Sequence, residues 1–538
     1  MPTRTAWVKP APAVTGQDHL GTIAPAESLY ATLLPGITNV TARARYYSFY
    51  PWFIREFERR FPKAKPDEFV SALRRSECLF ALVAVRHART LDEVESLHGA
   101  GMVGREKLVP AVDGLTGDDD IVPLAKHADL DSEGRYFMNP LGGLGQYYFG
   151  PLRELGILGG DTRSRDIRYT PERGAPLADA FGAGVDADTF FGCVSLGSVS
   201  ASQLDSLAAF CPCGLNSNPA ERRQLIDLLI DPSATLGEES QLRRSTLALV
   251  LDLASRRATE DLPLADEFRA SVYTAALFDG SPWMVPAHGG PMRVWSVYAQ
   301  HELLSIALQG LFWAALSSCE LAGRRKFRDA ADLAAFALGQ LHPAFSPQDW
   351  ASPFSVFVAK HPCPARSDWK ANEHEVQAGW RIIGRDSTPH SVTADAVAIL
   401  AALLERSGTE DPYANLHFEV GYFDRYGINL RSYLARARGE WSTKPLELVV
   451  GSAITWALKT HWRVALQKLA DSTPRDTFKV RPLEDDILIV EAPLPMFSVP
   501  RIHRVIGLLR DLGALVDDDA GRPSLTKEGV RLREATHG

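Results

Sequence analysis

Cysteine is scarce. Six thiols are spread over 538 residues, too scattered for a disulfide framework, and Met1-Pro-Thr-Arg opens no secretory leader. The expectation is a chain of the reducing cytoplasm. No apolar run reaches the length of a membrane span. The nearest, Leu303 to Leu316, is interrupted by Gln309 and Gly310 and reads as a buried core helix, so no membrane is expected as a partner. A surplus of positive charge is also missing. Lys and Arg number 58 against 66 Asp and Glu, a net charge of −8, so nucleic-acid binding would have to come from a local basic patch. Motifs that mark an enzyme are absent too: there is no Walker A lysine loop, nucleophile elbow or His-Glu-x-x-His. Gly99, Gly101 and Gly104 have dinucleotide-fingerprint spacing, but a helical stretch, Leu91 to Leu97, precedes them where a strand is required. Asp129 to Gly134 opens like a calcium loop and then places Pro140 where a bidentate Glu must stand. His301-Glu302, inside an apolar helix, reads as a satisfied core pair. No cofactor is expected, and we read a protein without catalytic chemistry of its own. The alternative is an enzyme site between residues 340 and 430, among His361, His374, Asp386 and His390.

What is present is an ordinary globular composition, 45% hydrophobic and 23% charged, which rules out wholesale disorder and suggests about three or four domains. Arg outnumbers Lys and Ala is abundant, as in high-GC bacterial genomes. Hydrophobic periodicity predicts a mainly α, multi-domain protein with small β-hairpins. Residues 1–35 read as an N-terminal arm. A helical domain follows over 36–185, then a helical middle domain over 186–342, a mixed segment over 343–440 and a C-terminal module over 441–538. Thr41 to Phe61 is helical, with Pro51 expected to kink or break it. Pro66 opens a second helix, and Glu77 to Arg86 is a third or its continuation. Val109 to Glu133 reads as an acidic loop. Further helices are expected at Leu242–Ala258, Trp295–Leu316, Lys326–Leu341, Ala394–Arg406 and Leu448–Leu469. A linker or an irregular packed segment is expected at Pro343–Pro364, and strand character at Thr477–Ala492.

One pattern occurs twice. Leu152, Leu155, Gly156 and Leu158 are followed by a polar gap, Thr170, Gly174 and Leu177. Leu509, Leu512, Gly513 and Leu515 are followed by a polar gap, Thr526, Gly529 and Leu532. The leucines share a helical face, the first glycine ends the helix in a left-handed conformation, the polar gap is a hairpin tip, and the threonine caps a helix starting at Pro171 or Lys527. Helix, hairpin, helix is the tail of a winged helix, and both copies resemble bacterial winged-helix regulators over about 35 residues each.

The resemblance implies nucleic-acid contacts from the helix before each Leu-Gly pair and from the hairpin. In the early copy these would come from Arg153, Arg163, Arg165 and Arg168, and in the late copy from Arg501, Arg504 and Arg522. The late hairpin carries Asp517-Asp-Asp519, which repels phosphate and suits a protein contact better. A second group, Arg43, Arg45, Tyr46 and Tyr47, interleaves guanidinium groups with rings that could grip phosphates and stack on bases. Filling a core is the simpler role for those rings. This stretch, with Leu33 to Asn39 and Arg45 to Trp52, is similar to uncharacterised bacterial proteins associated with phage defence. The implied function is a DNA-binding or scaffolding component of a bacterial anti-phage or anti-plasmid system, with DNA and other subunits of that system as partners. The alternative is a kleisin-like subunit whose winged helices dock onto an ATPase. Finally, Cys211, Cys213, His361 and Cys363 offer thiolates and imidazole suited to zinc, but one-residue separations are tighter than the usual spacing, so two loops with ordinary cysteines are the simpler reading and no metal is expected.

Overall fold

The computed structural model describes residues 18–93, 97–257, 262–384, 387–471, 475–518 and 521–537. Among these residues the protein is mainly helical, and strands are confined to four sheets of two or three strands. The chain divides into two compact units, each discontinuous in sequence: Met1–Tyr30, Arg257–Leu262 and Asp266–Ser498 form the first, and Ala31–Arg256, Pro263–Ala265 and Val499–Gly538 the second. This partition differs from the five consecutive segments suggested by composition. Residues 1–17 of the expected arm lie outside the described residues, and the rest of it holds a helix, Ile23–Leu33. Asp18 precedes that helix and accepts hydrogen bonds from the N–H groups of Thr22 (2.7 Å) and Ile23 (3.0 Å).

In the first unit the longest helix is Gly289–Leu321, 33 residues. It packs against Pro389–Glu405, Leu446–Leu469 and Ala330–Leu341. Gln309 does not interrupt it. Its amide exchanges two hydrogen bonds with the backbone of Met496, donating at 3.2 Å and accepting at 3.1 Å, so burial leaves no polar atom of the side chain unsatisfied. Gly310 lies where Val392 and Ile382 approach closely. By length and composition, Pro286–Leu321 could cross a membrane, and 89% of its most apolar window is buried. The expected helix from Lys326 begins at Ala330 instead, capped by Asp329, because Lys326–Phe327 pairs with Ile487–Ile489 in a three-stranded sheet completed by Val480–Pro482. The expected linker contains two short helices, Pro347–Ala351 and Phe354–Lys360.

The second unit is built around Tyr46–Arg60 and the 26-residue helix Pro66–Leu91. Pro66 stands at the first helical position, with Asp67 and Glu68 in the first turn, where a missing N–H is harmless and negative charge complements the dipole. The Tyr46–Arg60 helix runs through Pro51 without a break. Its rings explain this: Tyr46, Tyr47, Phe49, Tyr50, Trp52 and Phe53 are all fully buried. Phe49 stacks on Phe80 at 4.2 Å, and Trp52 meets Phe181 at 5.0 Å. Burying one such ring is worth roughly 1.5–3 kcal/mol, so six of them outweigh the ~3 kcal/mol cost of a helical proline. The stretch expected as an acidic loop contains helices Arg105–Asp113 and Leu124–Ala128, and strand Ile121–Val122, which pairs with Val199–Ser200.

Candidate functional site

Both copies of the repeated pattern lie in the second unit and are built alike. In the early copy, helix Phe149–Glu154 ends at Gly156 with φ +68°, and strands Leu158–Asp161 and Asp166–Tyr169 form a hairpin before helix Gly174–Gly182. In the late copy, helix Ile502–Asp511 ends at Gly513 with φ +72°, and strands Leu515–Asp517 and Pro523–Leu525 precede helix Lys527–His537. Each helix closes with the paired hydrogen bonds that a left-handed glycine permits. Gly156 and Ile157 donate to Arg153 (2.9 Å) and Leu152 (2.8 Å), and Gly513 and Ala514 donate to Arg510 (2.9 Å) and Leu509 (2.8 Å).

The threonines match as well. Thr170 Oγ1 donates to the Gly156 carbonyl at 2.7 Å and accepts from Gly174 N at 3.0 Å. Thr526 Oγ1 does the same with Gly513 at 2.6 Å and Gly529 N at 3.0 Å. A Cβ on Gly174 would lie 2.5 Å from the Ile157 carbonyl oxygen, and one on Gly529 would collide with that of Ala514. The second glycine of the pattern therefore admits the next helix against the turn. The late helix starts at Lys527 as expected. The early one starts at Gly174 and not at Pro171, since Pro171–Arg173 form turns.

The arginines assigned to these copies fare differently. In the early hairpin Arg163 and Arg168 are exposed, with Arg168 paired to Asp166 at 2.7 Å. Arg165 is half-buried and paired to Asp67. Arg153 is exposed, with its guanidinium 5.7 Å from the centre of the Phe149 ring. In the late copy, Arg501 donates to the Ile37 carbonyl at 2.8 Å and Arg504 to that of Asn39 at 2.6 Å. Arg510 pairs with Asp517 at 2.6 Å and Arg522 with Asp518 at 2.7 Å. Asp519 lies outside the described residues. The late helix thus spends its arginines within the unit, leaving the early hairpin as the more accessible cationic element.

The segment from Arg43 to Tyr47 requires a correction. Arg43 and Arg45 are only 5% and 1% exposed, and Tyr46 and Tyr47 are fully buried, so nucleotide bases have no access to them. Tyr46 Oη accepts from Val103 N at 3.0 Å, and Tyr47 Oη donates to the Gly36 carbonyl at 2.7 Å. Arg43 pairs with Asp511 at 2.9 Å and donates to the carbonyls of Leu97 (3.1 Å) and Ala100 (3.2 Å). Burial pushes the Asp511 carboxyl up in pKa while Arg43 and the Ala44 N–H pull it down. Arg45 forks onto the fully buried Glu221 with two contacts of 3.2 Å, and its remaining nitrogen reaches the carbonyls of Ala209 (2.5 Å) and Cys211. Two arginines thus pin two loops, one carrying His98 and the other carrying Cys211 and Cys213.

Those loops meet. His98 Nδ1 lies 3.2 Å from Cys211 Sγ, and His87 Nδ1 lies 3.3 Å from Cys213 Sγ. The four groups offer ligand atoms that all fall within 4.8 Å of one another. Cys211 and Cys213 therefore join histidines from the helix Pro66–Leu91 and the loop after it. His361 and Cys363, their expected companions, belong to the first unit. There His361 pairs with Asp349 at 3.5 Å, and the Cys363 N–H donates to Glu405 at 3.0 Å. The hydrogen bond from Cys211, with the imidazoles of His98 and His87, holds the Cys213 thiol below the usual thiol range, while burial pushes Cys211 up. One-residue spacing works because Cys211 is extended (φ −54°, ψ 144°) while Cys213 stands in the tight turn Pro212–Ser217. No local pattern links the histidines to the thiols, because they lie more than a hundred residues earlier in the chain.

Three of the four residues expected at an enzyme site between 340 and 430, His361, His374 and His390, have partners within the first unit. The His374 ring accepts from Val376 N at 3.2 Å, and His390 Nε2 lies 3.0 Å from the Gln340 carbonyl. Asp386 lies outside the described residues. His301 and Glu302 are not a mutually satisfied pair. Among the described residues both ring nitrogens of His301 are buried without a hydrogen-bond partner, and Glu302 accepts from Ser498 N at 2.8 Å. Comparison with protein-family models, with curated proteins and with solved structures found no match.

Proposed function

We propose that the protein is a nucleic-acid-docking component of a multi-protein assembly and that its early helix–hairpin–helix, read as a winged helix, makes the contact. The observation that carries this is the exposed arginine-bearing hairpin between Leu158 and Tyr169, with Arg163 and Arg168 open to solvent and Arg153 exposed on the preceding helix. A wing presenting guanidinium groups suits the phosphate backbone, whose contacts position a protein without reading sequence. The short helix Phe149–Glu154 exposes little besides Arg153 and Glu154, so the hairpin would dominate. Similarity to phage-defence-associated bacterial proteins suggests a setting in anti-phage or anti-plasmid defence. The late copy, whose hairpin carries Asp517 and Asp518, favours docking onto a protein, as in the kleisin-like alternative.

Fluorescence anisotropy with short duplex and single-stranded DNA across a salt series tests the proposal. Binding should weaken steeply with salt, and Arg163→Glu/Arg168→Glu should abolish it. No binding by the folded wild-type chain at low salt would refute the nucleic-acid contact and leave protein docking.

A further inference from the structure

We infer that His87, His98, Cys211 and Cys213 form a closed, structural zinc(II) site, which joins the end of helix Pro66–Leu91 to the Cys-Pro-Cys turn. Several independent observations converge here. The donor set is two thiols and two imidazoles, the chemistry that selects zinc over calcium or magnesium. The distances suit one ion. With bonds of about 2.3 Å to sulfur and 2.0 Å to nitrogen, the edges of a tetrahedron are roughly 3.3–3.8 Å by the same geometry. The two sulfur–nitrogen contacts, 3.2 and 3.3 Å, fall close to that range, and no pair of ligand atoms exceeds 4.8 Å.

The surroundings orient the ligands. His98 Nε2 lies 2.8 Å from a carboxylate oxygen of Glu93, which holds the proton on Nε2 and turns the lone pair of Nδ1 toward Cys211. A carboxylate behind a ligating histidine fixes its tautomer and raises its basicity. Arg43 holds the carbonyls of Leu97 and Ala100 on either side of His98. Arg45 holds those of Ala209 and Cys211, and Gly214 makes room for it: a Cβ there would lie 2.5 Å from the Arg45 guanidinium. The loops are thus set in place by groups that are not themselves ligands. His98 and Cys211 are buried, and His87 and Cys213 are half-buried. Four protein donors leave no open position for water or substrate, so the ion would be structural and not catalytic. The turn Pro212–Ser217 packs against the late helix Ile502–Asp511, so the ion would also brace the base of the C-terminal helix–hairpin–helix.

The site does not depend on nucleic-acid binding, and its test involves none. The reduced full-length chain, purified without chelators, is analysed for metals by mass spectrometry, and cobalt(II) is exchanged into the site. Expected are about one zinc per chain and, with cobalt, the thiolate charge-transfer and strong d–d absorption of a tetrahedral site. Cys211→Ser/Cys213→Ser should lose the metal and the spectrum, whereas Cys363→Ser should keep both. If the double variant does not fold, mercurial titration of the wild type replaces it: zinc should be released as two thiols are consumed. The inference is overturned if the wild type carries no metal and gives no tetrahedral cobalt spectrum. Full metal content in the double cysteine variant, or a disulfide between Cys211 and Cys213 in the reduced preparation, overturns it equally.

Discussion

Replacing Arg45 with Met separates a core role from a nucleic-acid role. Arg45 and Glu221 are 1% and 0% exposed. Methionine keeps much of the stem volume and removes the charge. Glu221 would retain Ser48 Oγ at 2.6 Å and Asn218 Nδ2 at 3.1 Å, but no longer a countercharge. Removing one partner of a buried ion pair costs about 3–5 kcal/mol. The carbonyls of Ala209 and Cys211 also lose their donor, worth roughly 1–3 kcal/mol each if left dry. These losses share one side chain and do not add, so Arg45→Met should cost about 4 kcal/mol, near the middle of the ion-pair range. Urea unfolding followed by tryptophan fluorescence reads this as a lower midpoint. Arg45→Met/Glu221→Leu removes both charges and should recover most of the loss, since the uncompensated carboxylate dominates it. A change below about 1 kcal/mol in the single variant, the scale of an exposed ion pair, together with weakened DNA binding, would refute the core assignment.

Gly529→Ala should destabilise the C-terminal module by about 1–3 kcal/mol, the range for overpacking, because the new methyl meets the Ala514 carbonyl. Exchange of the Lys527–His537 amides measures it, and unchanged protection would refute the close approach. Thr526→Val removes the bond to Gly513 and the acceptor for Gly529 N. It should cost about 1 kcal/mol, as should Thr170→Val, and a substantial difference between the two in urea midpoint would argue against equivalence. Acid should weaken the first unit. Burial lowers His461 from 6.5 to about 4, and its Nε2 accepts from Lys479 N at 2.9 Å while Nδ1 faces the His19 carbonyl. The unfolded chain binds this proton first as pH falls, so the stabilisation is present above about 6.5 and is lost progressively down to about 4. The total is on the order of 3 kcal/mol. His461→Gln should flatten the dependence of unfolding free energy on pH between those limits, and an unchanged slope would show that other groups carry it.

Local physics settled a good deal in advance. Gly156 and Gly513 end their helices in left-handed conformations because the apolar stripe stops there and glycine alone takes that conformation without penalty. Thr526 caps the helix that starts at Lys527, as expected, and helical periodicity correctly marks the chain as mainly α. These features depend on neighbours a few residues away, so the sequence alone determines them. Tertiary structure decided what local pattern could not. Arg43 and Arg45, between aromatic residues, could as well face phosphate as a buried carboxylate, and the deciding partners, Asp511 and Glu221, stand 468 and 176 residues away. Pro51 stays helical because rings from distant segments hold the helix. Cys211 and Cys213 take His87 and His98 as neighbours, with 113 residues separating His98 from Cys211, because packing brings the end of one helix against a remote turn. Spacing along a chain records which groups are close only where the chain itself keeps them close, and a buried ion pair or a thiol–imidazole cluster is assembled by the core.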